Sequence, residues 1–195
     1  AVLISNAFMV LVPVFFLFNS ALRETNSFAS NPFALARDPH WENFQQVWSD
    51  GEFATYLKNS LLVTGGSLVV ILICALGAGF ILGRYNFKGN TALFAFILTG
   101  MLVPAKLAIL PLFIQLKWMN LLDSHIGLIL VYSSGALPAE VFIMSGFFRA
   151  LPSDLDNAAR IDGASELQLL RLVLIPLVRP GMAIVAIYSA IPIWN

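Results

Sequence analysis

The stretch NSLLVTGGSLVVILICALGAGFILG occupies residues 59–83 and contains no charged side chain. A helix needs about 20 apolar residues to cross roughly 30 Å of hydrocarbon. The run is continuously apolar, whereas the strands of a membrane barrel alternate between apolar and polar residues. It therefore predicts a transmembrane helix.

The rest of the chain repeats this pattern. Only 11% of the 195 residues are charged and 58% are hydrophobic, whereas soluble domains average about 25% charged residues. Uncharged runs predict an all-α, polytopic membrane helix bundle with about five spans, near 1–18, 58–83, 91–113, 125–148 and 181–195. The first and last of these spans are interpreted as truncated, so the chain is expected to be a fragment.

The basic residues predict the orientation of the spans. Six of them flank the short loop after the second span or lie between the fourth and fifth spans: Arg84, Lys88, Arg149, Arg160, Arg171 and Arg179. Because Lys and Arg accumulate on the cytoplasmic side, residues 149–180 are expected to be cytoplasmic and residues 19–57 an extracytoplasmic loop. The chain is thus predicted to be a multi-pass protein of the cell membrane.

The stretch between the last two spans shows helix signals that a plain connector does not need. Ser153 and Asp156 form a capping pattern that predicts a helix starting near Asp154. Asp162-Gly163 predicts its end, because glycine takes the left-handed conformation of a sharp stop. Ser165 and Gln168 predict a second capped helix that ends near Pro176. From spacing alone, a docking element and a connector lying on the bilayer are equally good interpretations.

Residues 157–164, NAARIDGA, followed ten residues after Gly163 by the hydrophobic Val173 and then by Pro176, resemble the Glu-Ala-Ala loop of bacterial ABC importer permeases. Pro104, Pro111 and Trp194-Asn195 are similar to the carbohydrate-uptake permeases related to the maltose transporter. These permeases usually have six spans.

The resemblance implies a role for each matching residue. The helix near Asp154 would be a coupling helix that docks in a groove of an ATPase subunit. Ala158 and Ala159 would be its close-packing pair, Asp162 and Gly163 its turn, and Pro176 the end of the next helix. Ala164 would be a further residue of the docking loop. Asn157 stands where the family has a glutamate that would pair with a base on the ATPase. The adjacent Asp156 is the candidate substitute for that carboxylate.

The resemblance also implies partners. They would be a second permease subunit, two ATPase subunits that carry ATP and magnesium, and an extracytoplasmic solute-binding protein, assembled in the inner membrane. The chain itself is expected to bind no cofactor or metal and to have no ATPase site, since it lacks a Gly-x-x-x-x-Gly-Lys-Ser/Thr loop. Its zero net charge gives no reason to expect nucleic acid as a partner.

Glu140 is the ionisable residue inside the fourth predicted span. Such a residue usually faces a bundle interior or a water-filled cavity. Three interpretations stay open: Glu140 lines the solute path, pairs with the partner permease, or makes a structural polar contact. Two prolines, Pro104 and Pro111, are expected to kink or break the third span.

Two alternative functions remain to be weighed. A secondary transporter or channel without ATPases would need inverted repeats or several buried charges, and the sequence shows neither. A membrane enzyme would need a catalytic constellation, and none can be assembled. The sequence leaves the solute open among maltooligosaccharides, disaccharides, glycerol phosphates and related compounds.

Overall fold

A computed structural model describes residues 2–194, with all side chains except those of Val2 and Ala105. Asn195, and with it half of the Trp194-Asn195 pair, lies outside the described residues. The chain divides into two units, Ala1–Lys58 and Asn59–Asn195. Over the described range, every regular element is a helix. The all-α prediction is therefore confirmed.

The first unit consists of one long helix and an ordered polar segment. Its helices are α1 (Val2–Ala21), α2 (Thr25–Ser30) and α3 (Glu42–Ser49). The predicted loop over residues 19–57 thus contains two short helices, and α1 extends three residues beyond the predicted end at residue 18. The following helix begins at Phe53, earlier than the predicted residue 58.

Arg23 organises the segment that follows α1. Its side chain is buried, with 6% of the residue exposed. The guanidinium donates to the carbonyl oxygens of Ser27 (2.5 Å), Asn31 (2.7 Å) and Pro32 (3.2 Å). Because one cation binds a carbonyl of α2 and two carbonyls just after it, the turn at the end of this short helix keeps a defined course.

The second unit contains the helices that form the main bundle. They are α4 (Phe53–Arg84, which begins in the first unit), α5 (Asn90–Thr99), a 3-10 turn (Gly100–Leu102), α6 (Ala105–Trp118), α7 (His125–Ala150), α8 (Asp154–Ile161), α9 (Glu166–Gln168), a π-helical segment (Leu169–Leu174), α10 (Ile175–Leu177) and α11 (Arg179–Trp194).

Three helices are individually long and apolar enough to cross a membrane: Leu3–Ala21 within α1, α4 and α7. Two further pairs qualify only as bent units, Asn90–Leu102 with Lys106–Trp118 at 103° and Glu166–Leu177 with Arg179–Trp194 at 75°. If each bent pair counts as one span, the described residues contain five candidate membrane spans, the number predicted from the sequence.

The third predicted span, near 91–113, is broken into a bent pair of helices, and of the two prolines expected to kink or break it only Pro104 lies at the break. The chain breaks after Leu102, and Pro104 is the cap of α6. Pro111, by contrast, lies inside α6 without ending it. A proline near a helix start loses no hydrogen bond, since the first amides have no partner within the helix. The break therefore comes where Pro104 can begin a new helix.

Close contact between α4 and α7 depends on two glycines spaced four residues apart. A methyl group on Gly79 would lie 2.7 Å from Met144 Cβ, and one on Gly83 would lie 2.9 Å from Phe148 Cβ. Small residues at this spacing let helix backbones approach closely in membranes. Met144 and Phe148 are fully buried at this crossing. The crossing places the last turn of α4 against the last turn of α7.

Gly79→Ala is expected to destabilise the bundle by about 1–3 kcal/mol, the usual cost of overpacking. The new methyl would also meet backbone atoms of α7, with Met144 C and Ser145 N both at 3.1 Å, so a side-chain rotation cannot relieve the clash. Gly77→Ala is the matched control because a methyl there has no neighbour within 4 Å. Thermal unfolding in detergent should show a lower midpoint for Gly79→Ala only. Equal midpoints would contradict the close approach.

Candidate functional site

Helix α8 ends in a sharp stop at Gly163. Gly163 has φ of +81°. Its amide donates to the carbonyl of Arg160 at 3.1 Å, and the Ala164 amide donates to that of Ala159 at 2.9 Å. This pair of bonds is the Schellman arrangement that follows a left-handed glycine. At the other end, α8 begins at Asp154 as expected, but Ser153 makes no side-chain capping bond.

The second helix of the loop begins with the expected capping box. The Ser165 amide donates to Gln168 Oε1 at 2.8 Å, and the Gln168 amide donates to Ser165 Oγ at 3.4 Å. The helix then widens into the π segment and continues as α10 through the exposed Pro176 to Leu177. The predicted end near Pro176 thus lies within one residue of the observed end at Leu177. A wider turn suits this place because proline clashes with the carbonyl four residues before it.

The side chains of α8 fall on two faces. Asp156 and Ala159 are buried, each with 7% exposed, and Ala159 belongs to the apolar core of the second unit. Four exposed side chains lie along one side of α8, and we refer to this side as the exposed face: Asp154, Asn157, Ala158 and Ile161. The two alanines therefore do not present a joint packing surface, since Ala158 alone faces outward.

Asp156 forms a buried ion pair with Arg84, the last residue of α4. Arg84 Nη2 lies 2.5 Å from Asp156 Oδ1, and Nε lies 2.9 Å from Oδ2. The two side chains are only 6% and 9% exposed. The expectation that Asp156 offers a carboxylate to an ATPase is therefore corrected: that carboxylate is already occupied within the chain.

An exposed polar cluster connects the other end of α8 to the next helix. Arg160 Nε donates to Glu166 Oε1 at 3.1 Å, and the Tyr85 hydroxyl donates to Glu166 Oε2. Burial, and secondly the bond to Glu166, raise the pKa of Tyr85, so its hydroxyl keeps the proton that it donates. Arg160 and Glu166 are about half exposed, so this ion pair contributes little to stability.

Glu140 lies in the bundle interior with 1% of its surface exposed. Its Oε1 accepts a hydrogen bond from Ser189 Oγ at 2.6 Å, and Ser189 is itself 2% exposed. This bond joins α7 to α11. The other oxygen, Oε2, is buried with no hydrogen-bond partner among the described residues. The structure thus shows one polar contact between α7 and α11, and the solute-path and partner-permease interpretations of Glu140 stay predictions.

A polar recess lies at the opposite end of the bundle from Arg84. It has a volume of about 590 Å³ and is lined by side chains of α4, α7, α11 and the turn before α7, among them Asn59, Ser60, Asp123, His125, Tyr132 and Trp194. His125 Nε2 lies 3.1 Å from Asn59 Oδ1. No periodic pattern in the sequence marks this recess, because its residues come from three distant segments.

Residues 75–195 match the family of binding-protein-dependent transport system inner membrane components. The chain belongs to this family. The matched range contains the crossing of α4 and α7 at Gly79 and Gly83. It also contains the loop with α8 and α9, and the bent pair that ends with α11. The membrane helix bundle of the permease type and the assignment to transport components, both expected from the loop sequence, are confirmed.

Relatives of this chain are named as permease proteins for several sugars. It is 36% identical to NgcG, the permease protein of the diacetylchitobiose uptake system of Streptomyces coelicolor, over 100% of the chain and 65% of that relative. It is 29% identical to the melibiose/raffinose/stachyose import permease protein MelC of Bacillus subtilis, over 94% of the chain and 67% of MelC. The chain thus spans about two thirds of the length of these relatives.

A solved structure shows the same architecture. The permease matches a chain of a bacterial ABC transporter involved in the import of the acidic polysaccharide alginate, with a TM-score of 0.86 and 25% identity. The match covers 100% of this chain and 68% of the other. The bent helix pairs and the α8 loop therefore belong to a fold already known among ABC importers.

Proposed function

We propose that the permease is a membrane subunit of an ATP-driven importer for an uncharged sugar. Its exposed face on α8 docks on a cytoplasmic ATPase subunit, and a second permease completes the transport path. A second ATPase subunit and an external solute-binding protein complete the assembly in the inner membrane. ATP and magnesium are bound by the ATPase subunits.

The observation that carries this proposal is the composition of the exposed face. Asn157 and Ala158 are small, and Ile161 is 86% exposed although it is a large apolar residue. A short helix that keeps such a residue in water has a surface suited to a protein groove. A loop that merely connects two spans has no need of a sharply stopped helix with an apolar tip.

The proposed mechanism is alternating access. Closure of the ATPase subunits on ATP moves the α8 helices of the two permeases together. The spans attached to them then open outward and accept the solute from the binding protein. ATP hydrolysis separates the ATPase subunits and returns the path to its inward-open state.

The polar recess supports the choice of an uncharged sugar. Its described lining includes one carboxylate, Asp123, and no Lys or Arg. Tyr132 and Trp194 supply aromatic faces, and Asn59 and His125 supply hydrogen-bonding groups for hydroxyls. Its volume of about 590 Å³ falls within the range of small-molecule binding pockets. An acidic sugar would meet Asp123 without a compensating cation.

Reconstituted uptake tests the proposed function. The complete transporter in liposomes, with ATP enclosed and no ion gradient, should accumulate a neutral sugar such as diacetylchitobiose, melibiose or a maltodextrin. Uronate oligosaccharides should not compete. Uptake driven by a proton or sodium gradient in the absence of ATP would instead show a secondary transporter.

Tyr132→Ala is expected to reduce uptake at sugar concentrations well below saturation about tenfold, because one stacking contact in a pocket is worth about 1.4 kcal/mol of binding free energy. Sugar binding by the separate external protein should not change. Leu130→Ala is the matched control: Leu130 is exposed on the same helix and is absent from the recess lining. Equal uptake by both variants would exclude the recess from the sugar path.

A further inference from the structure

We infer that Arg84 is a positioning residue for coupling: it joins α8 to the ends of α4 and α7, so that the three helices move as one rigid body. This inference rests on the proposed function and adds to it the side chain through which motion of α8 reaches the spans.

All five N–H groups of the Arg84 guanidinium have an acceptor. Besides the two bonds to Asp156, Nη1 donates to the carbonyls of Phe148 (3.0 Å) and Leu151 (2.7 Å). Nη2 donates to the carbonyl of Pro152 at 3.0 Å. One side chain of α4 therefore binds the end of α7, the short connection after it and the first turn of α8.

The charges of these partners fit the position of the guanidinium. The carbonyls of Phe148 and Leu151 belong to the C-terminal end of α7, where unpaired carbonyls favour a cation. Asp156 lies in the first turn of α8, where the unpaired amides favour an anion. Arg84 thus lies between two helix ends of opposite polarity and interacts favourably with both.

A lysine cannot reproduce this arrangement. Its ammonium has three donors and no planar fork, so it cannot hold both oxygens of Asp156 and three carbonyls together. The pair is also nearly inaccessible, with 6% and 9% of the side chains exposed, so water does not replace a lost bond easily. Arg84→Lys therefore keeps the positive charge but cannot form the five hydrogen bonds of the guanidinium.

The two ends of α8 are held differently. The first turn is held by the buried Arg84, whereas the last turn is held by Arg160 and Glu166, which are 44% and 52% exposed. Ion pairs exposed to water are weak, because solvent screens the charges and competes for their hydrogen bonds. Force applied to the exposed face therefore reaches α4 and α7 through Arg84. Loss of the exposed Arg160–Glu166 contact serves as the control, because it changes the other end of α8 only.

The experiment uses the complete purified transporter in liposomes and measures sugar imported per ATP hydrolysed. Arg84→Lys should still recover the ATPase subunits, because the exposed face is unchanged, while sugar imported per ATP falls about tenfold or more. Arg160→Gln, the control, should keep the wild-type ratio. A purely structural role would lower the yield of the complex and leave this ratio unchanged.

Asp156→Asn provides the second arm should Arg84→Lys fail to assemble, since it is isosteric and removes only the charge of the pair. A wild-type ratio in an assembled Arg84→Lys or Asp156→Asn transporter would overturn the inference. Failure of the proposed function has a different signature: the wild-type chain would recover no ATPase subunit, or would transport without ATP.

Discussion

Ile161→Asp in α8 is expected to abolish recovery of the ATPase subunits with the permease. Ile161 is 86% exposed and lies on the exposed face with Ala158 and Asn157. Docking would bury its side chain, and full burial of an isoleucine contributes about 1.5–3 kcal/mol. An aspartate loses this contribution and adds the cost of burying an unpaired charge. Affinity should therefore fall at least about 100-fold.

Affinity purification of the permease with quantification of the bound ATPase measures this effect. Arg160→Gln is the matched control, since it changes the charge of the same helix outside the exposed face. The permease alone should unfold at the same temperature in both variants, because Ile161 makes little contact within its own chain. Full ATPase recovery with Ile161→Asp would rule out the exposed face as the docking surface.

Gly163→Val is expected to reduce ATP-driven uptake by more than tenfold. Gly163 has φ of +81°, and a β-branched residue is strongly disfavoured in that conformation. A methyl group there would have no neighbour within 4 Å, so the penalty comes from the backbone and not from crowding. The turn should relax by rotating α8 away from the position that docking requires.

Gly163→Asn distinguishes this mechanism from a simple loss of flexibility, because asparagine tolerates the left-handed region. The asparagine variant should keep most of the wild-type uptake, and the valine variant should not. Similar uptake by the two variants would show that the left-handed turn is not needed for coupling.

The parts of this structure that the sequence predicts are those with local causes. Uncharged runs mark α1, α4 and α7 because a membrane helix must hide its backbone within apolar side chains over a fixed length. Gly163 and the Ser165 capping box mark the turn between α8 and α9, since both signals act over three or four residues.

The contacts that reach across the chain were not predictable in the same way. Arg84 and Asp156 are 72 residues apart, and no local pattern pairs them. The inward position of Ala159 follows from the packing of α8 on the π-helical segment and the core, which residues distant in sequence form. For the same reason the local sequence predicts a free carboxylate at Asp156, whereas the structure pairs it with Arg84.

The surroundings of Glu140 and of the recess depend on contacts between distant segments. A carboxyl group inside a span is costly, but Glu140 accepts a hydrogen bond from Ser189 on α11, which lies 49 residues away. The recess near Tyr132 and His125 contains ordinary polar and aromatic residues that come together only where three helices meet. The grouping of these side chains therefore exists only in the folded chain.

The docking of α8 on an ATPase subunit is tested most directly by photo-crosslinking from Ala158. A photoreactive amino acid at this exposed position, in a transporter that imports sugar with ATP, should form an adduct with the ATPase subunit. The same group at Ile126, which is 61% exposed near the opposite end of the bundle, should form none. An active transporter without an adduct at Ala158, or with equal adducts at both positions, would contradict the account.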